Sequence, residues 1–241
     1  MRVLSMFVLT ALLSASAVLP GQTRDENWKR CQGDDHDLSI AGCTAIIQSG
    51  QESDVNLSHA FSDRCVEYDY KGEYDRAIKD CDQALRLNPS YAYAFNNRGN
   101  VYRDKGDYDH AIQDYDQAIR INPSDAFAFS GRCHVRAIIG QLQPALSDCS
   151  QALTLLPIDA NTLANRGFVY LKLKNADAAI ADYNASLDYY PWWAVALYGR
   201  GLAEQMKGDQ AAADKDITAA KANQPNIADQ FAKWGVPAPK P

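Results

Sequence analysis

The chain contains little of what metal centres, nucleic-acid-binding faces and membrane spans require. It has four His among 241 residues, and neither these nor its six Cys form a metal-binding cluster in the sequence. Basic residues are outnumbered, 24 Lys and Arg against 30 Asp and Glu, so the net charge of −6 gives no electrostatic reason to bind nucleic acid or anionic lipid. With 46% apolar and 22% charged residues, the composition is typical of a globular protein and excludes a disordered chain, a collagen and a polytopic membrane protein. We expect no cofactor, no metal ion and no nucleic-acid partner.

The first residues have the pattern of a secretory signal peptide. Arg2 is the only charged residue before Arg24, residues 3–13 are mainly apolar, and residues 14–17 are small. We therefore predict that residues 1–17 are a signal peptide, and that the mature chain is periplasmic or secreted, without membrane insertion after cleavage. The alternative is a retained membrane anchor, because no charge lies between the two Arg; polar residues, Pro and Gly in the second half of that stretch argue against it.

Most of the chain repeats with a period of 34 residues. Three ladders of identical residues share that spacing: Pro89, Pro123, Pro157, Pro191 and Pro225; Ala77, Ala111, Ala145, Ala179 and Ala213; and Arg30, Arg64, Arg98, Arg132, Arg166 and Arg200. They divide the chain into an irregular unit at 18–57, five repeats at 58–91, 92–125, 126–159, 160–193 and 194–227, and a capping helix with a Pro-rich tail at 228–241.

Each repeat has the pattern of two helices joined by a short turn. In the clearest repeat, residues 92–125, apolar residues fall at helical spacing on both sides of Gly106. Glycine, for which a positive φ is cheap, recurs at that turn in every repeat except the fourth, which has Lys174. The Pro near the end of each repeat terminates the second helix, because it lacks an N–H and clashes with the preceding turn.

The recurring small, aromatic, Ala and Pro positions resemble the tetratricopeptide repeat (TPR) family over residues 58–227. The resemblance implies an all-α fold: a right-handed α-solenoid superhelix of antiparallel helix pairs with a concave inner face. A single pair cannot bury its apolar face alone, so neighbouring pairs stack into one continuous core. The chain departs from the family at one position, where Arg replaces the first-helix Leu in every repeat.

A ladder of Asp accompanies the ladder of Arg. Each member follows an Arg by 16 residues, and the set is Asp80, Asp114, Asp148, Asp182 and Asp216. In an antiparallel hairpin two positions lie level when their numbers add to a constant, and the Arg and Asp positions meet that condition. We therefore predict ion pairs between the two helices of each hairpin, with the Arg partly buried. The alternative, an Arg row that binds an anionic ligand, is disfavoured because the Asp row matches it.

The cysteines indicate an oxidising compartment. Six Cys allow 15 pairings, but two pairs occupy the same two repeat positions on facing helices, and the remaining two Cys belong to the irregular first unit. The predicted disulfides are Cys31–Cys43, Cys65–Cys81 and Cys133–Cys149. An even count together with an export signal supports this assignment. A metal site would need a Cys-x-x-Cys or an equivalent motif, and the sequence contains none.

The resemblance also implies where a partner binds, since TPR proteins generally bind peptides or protein segments in the concave groove. The positions that line the groove in this family correspond here to Asn96, Asn100, Arg103, Phe127, His134, Ile138, Phe168, Leu171, Tyr198, Leu202 and Met206. We expect the two Asn to hydrogen-bond an extended peptide backbone, and the residues from Phe127 onward to form one apolar trough. The alternative is that the final short helix, at about residues 227–234, folds back and covers the trough.

These features favour an exported, non-enzymatic protein-interaction module that binds a peptide or protein segment of unknown identity. The chain itself is expected to be a monomer or a weak oligomer. A second hypothesis is a structural subunit of an envelope assembly, acting through the convex face or the solenoid ends. An enzyme is disfavoured because the periodic placement of Asp and Glu indicates solvated faces and ion pairs, not an acid, a base and a nucleophile brought together.

Overall fold

The computed structural model describes residues 23–237, and the regular structure in that range is helical. The predicted signal peptide and the last four residues lie outside the described range. The helices are α1 (Arg24–Cys31), α2 (His36–Ser49), α3 (Asp54–Tyr70), α4 (Tyr74–Leu87), α5 (Ala92–Lys105), α6 (Tyr108–Ile121), α7 (Ala126–Ile138), α8 (Leu142–Leu155), α9 (Ala160–Lys172), α10 (Ala176–Leu187), α11 (Ala194–Lys207), α12 (Gln210–Asn223) and α13 (Ile227–Lys233).

The helices up to α12 stack in sequential pairs. Each contacts the next along the chain, and the odd-numbered helices from α3 to α11 also contact one another, whereas the even-numbered helices do not touch each other. The odd-numbered helices therefore form the inner layer of a curved stack, and the even-numbered helices form the outer layer. This is the all-α solenoid of helix pairs that the repeat pattern predicts.

The turns inside the hairpins follow the glycine ladder. Gly72, Gly106 and Gly140 have φ between 72° and 87°, a left-handed conformation that glycine adopts without strain. Lys174 takes the same conformation with φ 62°, so the fourth hairpin keeps its turn despite the substitution. The first full hairpin begins earlier than the repeat frame suggests. Ser53 caps α3 through the N–H of Asn56, and the helix starts four residues before position 58.

The predicted ion pairs are present in all five repeats. In each, the guanidinium of the Arg donates two hydrogen bonds to the Asp 16 residues later, at 2.5 to 3.0 Å. Arg98 shows the arrangement: it makes this fork to Asp114, reaches Asp82 at 2.5 Å, and stacks over the Phe95 ring at 5.6 Å. Burial raises the pKa of Asp114 even though Arg98 opposes the shift, so desolvation offsets much of the attraction.

We predict that Asp114→Asn lowers the free energy of unfolding by about 1–3 kcal/mol, because it leaves the partly buried Arg98 without its bidentate partner. The matched control is Asp82→Asn, which touches the same guanidinium from a half-exposed position and should cost less than about 1 kcal/mol. Chemical denaturation of both variants measures the difference. Equal effects would show that the inner pair is no more than a surface contact.

The three predicted disulfides are confirmed. Their Cα–Cα distances are 4.6 Å for Cys31–Cys43, 5.5 Å for Cys65–Cys81 and 5.4 Å for Cys133–Cys149. All six Cys are buried between the two helices of a hairpin, so the bonds staple the pairs from inside.

Disulfides and tyrosines alternate at one place in the core. The position that holds Cys81 in the first repeat and Cys149 in the third holds Tyr115 in the second and Tyr183 in the fourth. Each Tyr ring is fully buried and lies against two glycines, one on each flanking inner helix. For Tyr183 these are Gly167 and Gly199. The first four of the five repeats are therefore closed either by a covalent bond or by a ring that fits where no Cβ is present, whereas the fifth has Ile217 at this position.

One position in the next inner helix follows the same alternation. After a disulfide hairpin it is Asn, and Asn97 and Asn165 donate to Ser62 and Ser130 of the preceding inner helix at 3.0 and 3.1 Å. After a tyrosine hairpin it is Gly, because the ring occupies that space. Over the first four repeats the structural period is thus two repeats.

The two tyrosine hydroxyls differ in their hydrogen bonding, which gives a matched test. Tyr115 donates to Asn100 Oδ1 at 2.8 Å, whereas Tyr183 has a buried hydroxyl without a partner, because Phe168 stands where Asn100 does. We predict that Tyr115→Phe lowers the free energy of unfolding by about 1 kcal/mol, and that Tyr183→Phe leaves it unchanged or raises it by about 1 kcal/mol. Thermal unfolding of both variants checks this. A loss for Tyr183→Phe as large as for Tyr115→Phe would reveal a partner for that hydroxyl.

Candidate functional site: the concave groove

The C-terminal half of the inner face is occupied by the chain itself. Helix α13 turns into the groove, and Phe231 packs against the rings of Phe168 and Tyr198 with centroids 5.8 and 4.8 Å apart. Trp234, directly after the helix, lies edge-on to His134 at 4.7 Å and to Phe168 at 5.6 Å. This continuous aromatic stack joins α7, α9 and α11 to α13.

The C-terminal part of the trough is therefore not open, and the alternative in which the final short helix folds back and covers it agrees with the structure. Phe168, Leu171, Tyr198 and Leu202 are all buried in the largest core cluster, which also contains Phe231. Their side chains pack against one another and against α13. They are therefore core residues and offer no surface to a partner. Ile138 is partly buried against the same cluster, and Met206 is exposed at the end of α11.

Lys172 holds α13 in place. Its Nζ donates three hydrogen bonds: to the carbonyl oxygens of Ala137 and Ile138 at 2.7 and 3.1 Å, and to that of Trp234 at 3.0 Å. The side chain therefore caps the last carbonyls of α7 and ties them to the residue that follows α13. An ammonium group at helix C-termini is favourable, because it faces the negative end of the helix dipole.

We predict that Lys172→Met lowers the free energy of unfolding by about 2 kcal/mol, because three carbonyls lose their donor at once. Amide hydrogen exchange in residues 227–234 should speed up, and the fluorescence of Trp234 should shift to longer wavelength as its ring becomes solvated. The control is Lys174→Met, which changes an exposed lysine two residues away. Unchanged exchange in α13 would show that Lys172 does not hold the helix.

The N-terminal half of the inner face remains open, and α13 forms one wall of it. The open groove encloses about 1060 Å³. Its floor comes from α5, α7 and α9, and includes Asn96, Phe127 and His134, while Gln230 and Lys233 of α13 line the opposite side. We call this space the open groove. Phe127 is the one apolar residue of the predicted trough that remains largely in solvent here, at 59% exposure.

Two asparagines were expected to hold a peptide backbone, and only Asn96 has a side-chain oxygen without a hydrogen-bond partner. Asn96 is 5% exposed and lines the open groove, yet its Oδ1 has no hydrogen-bond partner. The oxygen of Asn100 already accepts from Tyr115 and Arg103, and Arg103 forks onto Asp104 at 2.7 and 3.1 Å. A buried acceptor without a donor is costly in a folded protein, and of these two side chains only Asn96 has one.

Two ionisable groups near the groove are shifted by burial. Burial lowers the pKa of His134 to about 3, with Arg103 adding to the shift, so its imidazole is neutral and serves as a packing surface for Trp234. Burial, together with the nearby carboxylate of Asp104, raises the pKa of Asp69 to about 7. The Asp69 carboxyl is therefore partly protonated at neutral pH.

One alternative from the sequence placed the final helix, at about residues 227–234, against the groove, but it did not assign Gln230, Lys233 and Trp234 to the wall of the part that stays open. A signal was present, because Phe231 continues the 34-residue ladder of core positions from Leu197. That register predicts an inner helix after the fifth repeat, and α13 is this helix. The register alone does not decide between the two alternatives, an open trough and a trough that this helix covers.

A curved stack of helical hairpins, open on an inner face lined by the first helix of each pair, defines a class of repeat proteins that bind other proteins. Family models of the tetratricopeptide repeat match residues 92–125 and 160–191, and a TPR repeat model matches residues 67–102. The chain therefore contains tetratricopeptide repeats within residues 67–125 and 160–191.

Solved structures agree on the fold. A tetratricopeptide repeat protein from Parabacteroides merdae matches with a TM-score of 0.64 at 16% identity, over 87% of this chain and 85% of that one. A thermophilic TPR protein from Thermus thermophilus matches with a TM-score of 0.60 at 19% identity, over 76% and 95%. YrrB, described as a TPR protein with an unusual peptide-binding site, matches with a TM-score of 0.53 at 24% identity, over 79% and 97%. No curated protein matches the chain in sequence.

Between residues 23 and 237, no helix combines the length and the apolar character needed to cross a membrane.

Proposed function

We propose that this protein is an exported, non-enzymatic interaction module that binds a peptide or protein segment in the open groove. The observation that carries the proposal is the unpartnered oxygen of Asn96, buried in the floor of a groove large enough for a peptide. An extended backbone supplies an N–H every second residue on one side, which is the donor that this oxygen lacks.

The family supports the same conclusion. TPR folds generally mediate protein or peptide binding and generally act as scaffolds without catalysis. YrrB, one of the structures with this fold, is described by its peptide-binding site. The part of the groove that differs from an open TPR face is its C-terminal half, where α13 is already bound. A ligand therefore lies on α5, α7 and α9, with α13 at its side.

Export is supported by the cysteines and by the first residues of the sequence. All six Cys are paired in the part of the chain that the structure describes, and such bonds persist in the periplasm and outside the cell but are rare in the cytosol. Residues 1–17 have the composition of a signal peptide. Both observations fit a periplasmic or secreted protein.

Selection of random peptides displayed on phage against the immobilised oxidised chain tests the proposal even while the natural partner is unidentified. Selected peptides should bind at least about tenfold more weakly to Asn96→Ala, because the truncation removes the acceptor in the floor. Gln113→Ala, an exposed change on the outer helix α6, is the matched control and should leave the affinity unchanged. Light scattering of the free protein and the complex measures the stoichiometry, expected as one peptide to one chain.

If no peptide is enriched, or if the enriched peptides bind Asn96→Ala as tightly as the unaltered chain, the open groove is not the binding site. Circular dichroism of each variant confirms that it is folded.

A further inference from the structure

Exposed aromatic side chains collect on one edge of the solenoid. Six aromatic side chains are exposed in residues 23–237, and five of them lie where inner helices begin: Tyr93, Phe127, Tyr189, Tyr190 and Trp192. A soluble protein rarely concentrates its exposed rings in this way unless the patch binds something. We call this surface the aromatic edge.

The aromatic edge is continuous with the open groove. A second cavity, of about 650 Å³, lies beside the loop between α10 and α11 and is lined by Tyr190, Trp192 and Asn223. It shares Asn161 and Trp193 with the open groove. A ligand that follows the groove toward the starts of the inner helices therefore reaches these rings.

The rings are held in fixed positions. Tyr91 packs on Tyr93 with ring centroids 6.0 Å apart, and Trp193 packs edge-on to Tyr190 at 6.5 Å. The side chain of Asn223 donates to the backbone carbonyl of Trp192 at 2.6 Å, which fixes the loop that carries this exposed indole. A preorganised surface loses little entropy when a ligand binds to it.

The spacing along the edge has a definite period. Tyr93, Phe127 and Asn161 are the second residues of α5, α7 and α9, so their separation follows that of neighbouring packed helices, about 8–10 Å. A polyproline II helix has three residues per turn and rises about 3.1 Å per residue, so its side chains return to the same side every ~9.3 Å. One turn of such a helix therefore matches one repeat of the solenoid.

Charge and hydrogen bonding favour the same ligand. None of the residues that line the second cavity is charged, and Asp125 and Asp159 beside the edge accept from N–H groups of their own helices. The second cavity is therefore complementary to an uncharged ligand. It offers the amide of Asn161 between the rings, and a polyproline II backbone has free carbonyl oxygens because it makes no internal hydrogen bonds.

We propose that the aromatic edge binds a proline-rich segment in the polyproline II conformation, with pyrrolidine rings stacked on Phe127 and Trp192. Aromatic-lined grooves recognise such segments because the ligand is already ordered before it binds. The proposal names the class of partner and rests on the proposed function, since the same ligand continues into the open groove.

The test is a calorimetric titration of the full oxidised chain with an oligoproline of about twelve residues, long enough to span about four turns. The all-L peptide should bind, and the all-D peptide, which forms the mirror-image helix, should not. Phe127→Ala and Trp192→Ala should each weaken binding of the all-L peptide at least about fivefold, because stacked aromatic anchors carry most of the affinity in such interfaces. Leu38→Ala, an exposed apolar change on α2, is the control and should have no effect.

Equal binding of the two mirror-image peptides, or full affinity in both aromatic variants, overturns the proposal. Binding of a chitin oligosaccharide that depends on Trp192, without binding of oligoproline, overturns it in favour of a saccharide site. Phage-selected peptides that require Asn96 but tolerate Phe127→Ala and Trp192→Ala overturn this inference alone and leave the proposed function standing.

Discussion

Gly199→Ala should destabilise the protein by at least about 2 kcal/mol, although alanine is the better helix former. A Cβ at this position would lie 2.3 Å from the ring and hydroxyl of Tyr183, which is fully buried between the fourth and fifth repeats. The ring cannot move far from Gly199, because Gly167 lies against its other side. Overpacking of this kind forces strain into the whole contact between repeats.

Gly167→Ala is the matched control, since its Cβ would face the same ring at 3.1 Å. That contact is tight but within reach of a small adjustment, and the gain in helix propensity, about 1 kcal/mol, offsets much of it. Urea denaturation of both variants gives the comparison. Similar stabilities for Gly199→Ala and Gly167→Ala would mean that Tyr183 is free to shift, and that the glycine ladder does not define the contact between repeats.

Reduction of the three disulfides should have the largest effect on the molecule as a whole. Each bond closes a short loop, with separations of 12, 16 and 16 residues, and contributes about 3 kcal/mol in the chain-entropy model. Their sum of about 9 kcal/mol is comparable with the entire stability of a typical domain. We therefore expect the melting temperature to fall strongly in reductant, as measured by circular dichroism with and without dithiothreitol.

The loss should be uneven along the chain. All three disulfides lie before residue 150, and repeat proteins gain stability from each unit and its contacts with neighbours. Hydrogen exchange after reduction should therefore rise first in α1 to α8, while α9 to α13 stay protected. Uniform exchange over the whole chain would contradict this and show that the solenoid unfolds as a single cooperative unit.

A variant in which a buried tyrosine ring replaces one disulfide is the control for the loss of the covalent bond. Cys133→Gly, Cys149→Tyr and Asn165→Gly together give the third repeat the residues that close the second and fourth. This triple variant should retain more stability than Cys133→Ala with Cys149→Ala, because a ring fills the space that the sulfur atoms leave.

The sequence was enough to predict the architecture because the same local contacts recur in each repeat and leave the same residue spacing in the sequence. Pro89 and its equivalents end outer helices, the glycines at turns adopt positive φ, and the Arg and Asp ladders meet across each hairpin. The disulfide pairs followed from the same register. Each of these contacts lies within one hairpin, so the distance along the chain fixes it.

The candidate site was predicted less well, because its form depends on contacts between distant segments. The sequence left open whether Phe168 and Tyr198 line an open trough or are covered by the final helix, and the structure shows that Phe231 of α13 covers them. The sequence shows that α13 is apolar at Ile227 and Phe231; it does not show which apolar surface the helix covers.

The sequence by itself therefore determined the pairing of helices within the repeats, the ion pairs and the disulfides, since all are set by local spacing. Tertiary structure alone decided which half of the concave face stays open, because that depends on where α13 lies. It also decided that Asn96 keeps a free acceptor while Asn100 is bound by Tyr115. The hydrophobic effect is not directional, so an apolar helix can pack against any apolar surface within its reach. Only the folded structure shows which surfaces pack together and which remain exposed to a partner.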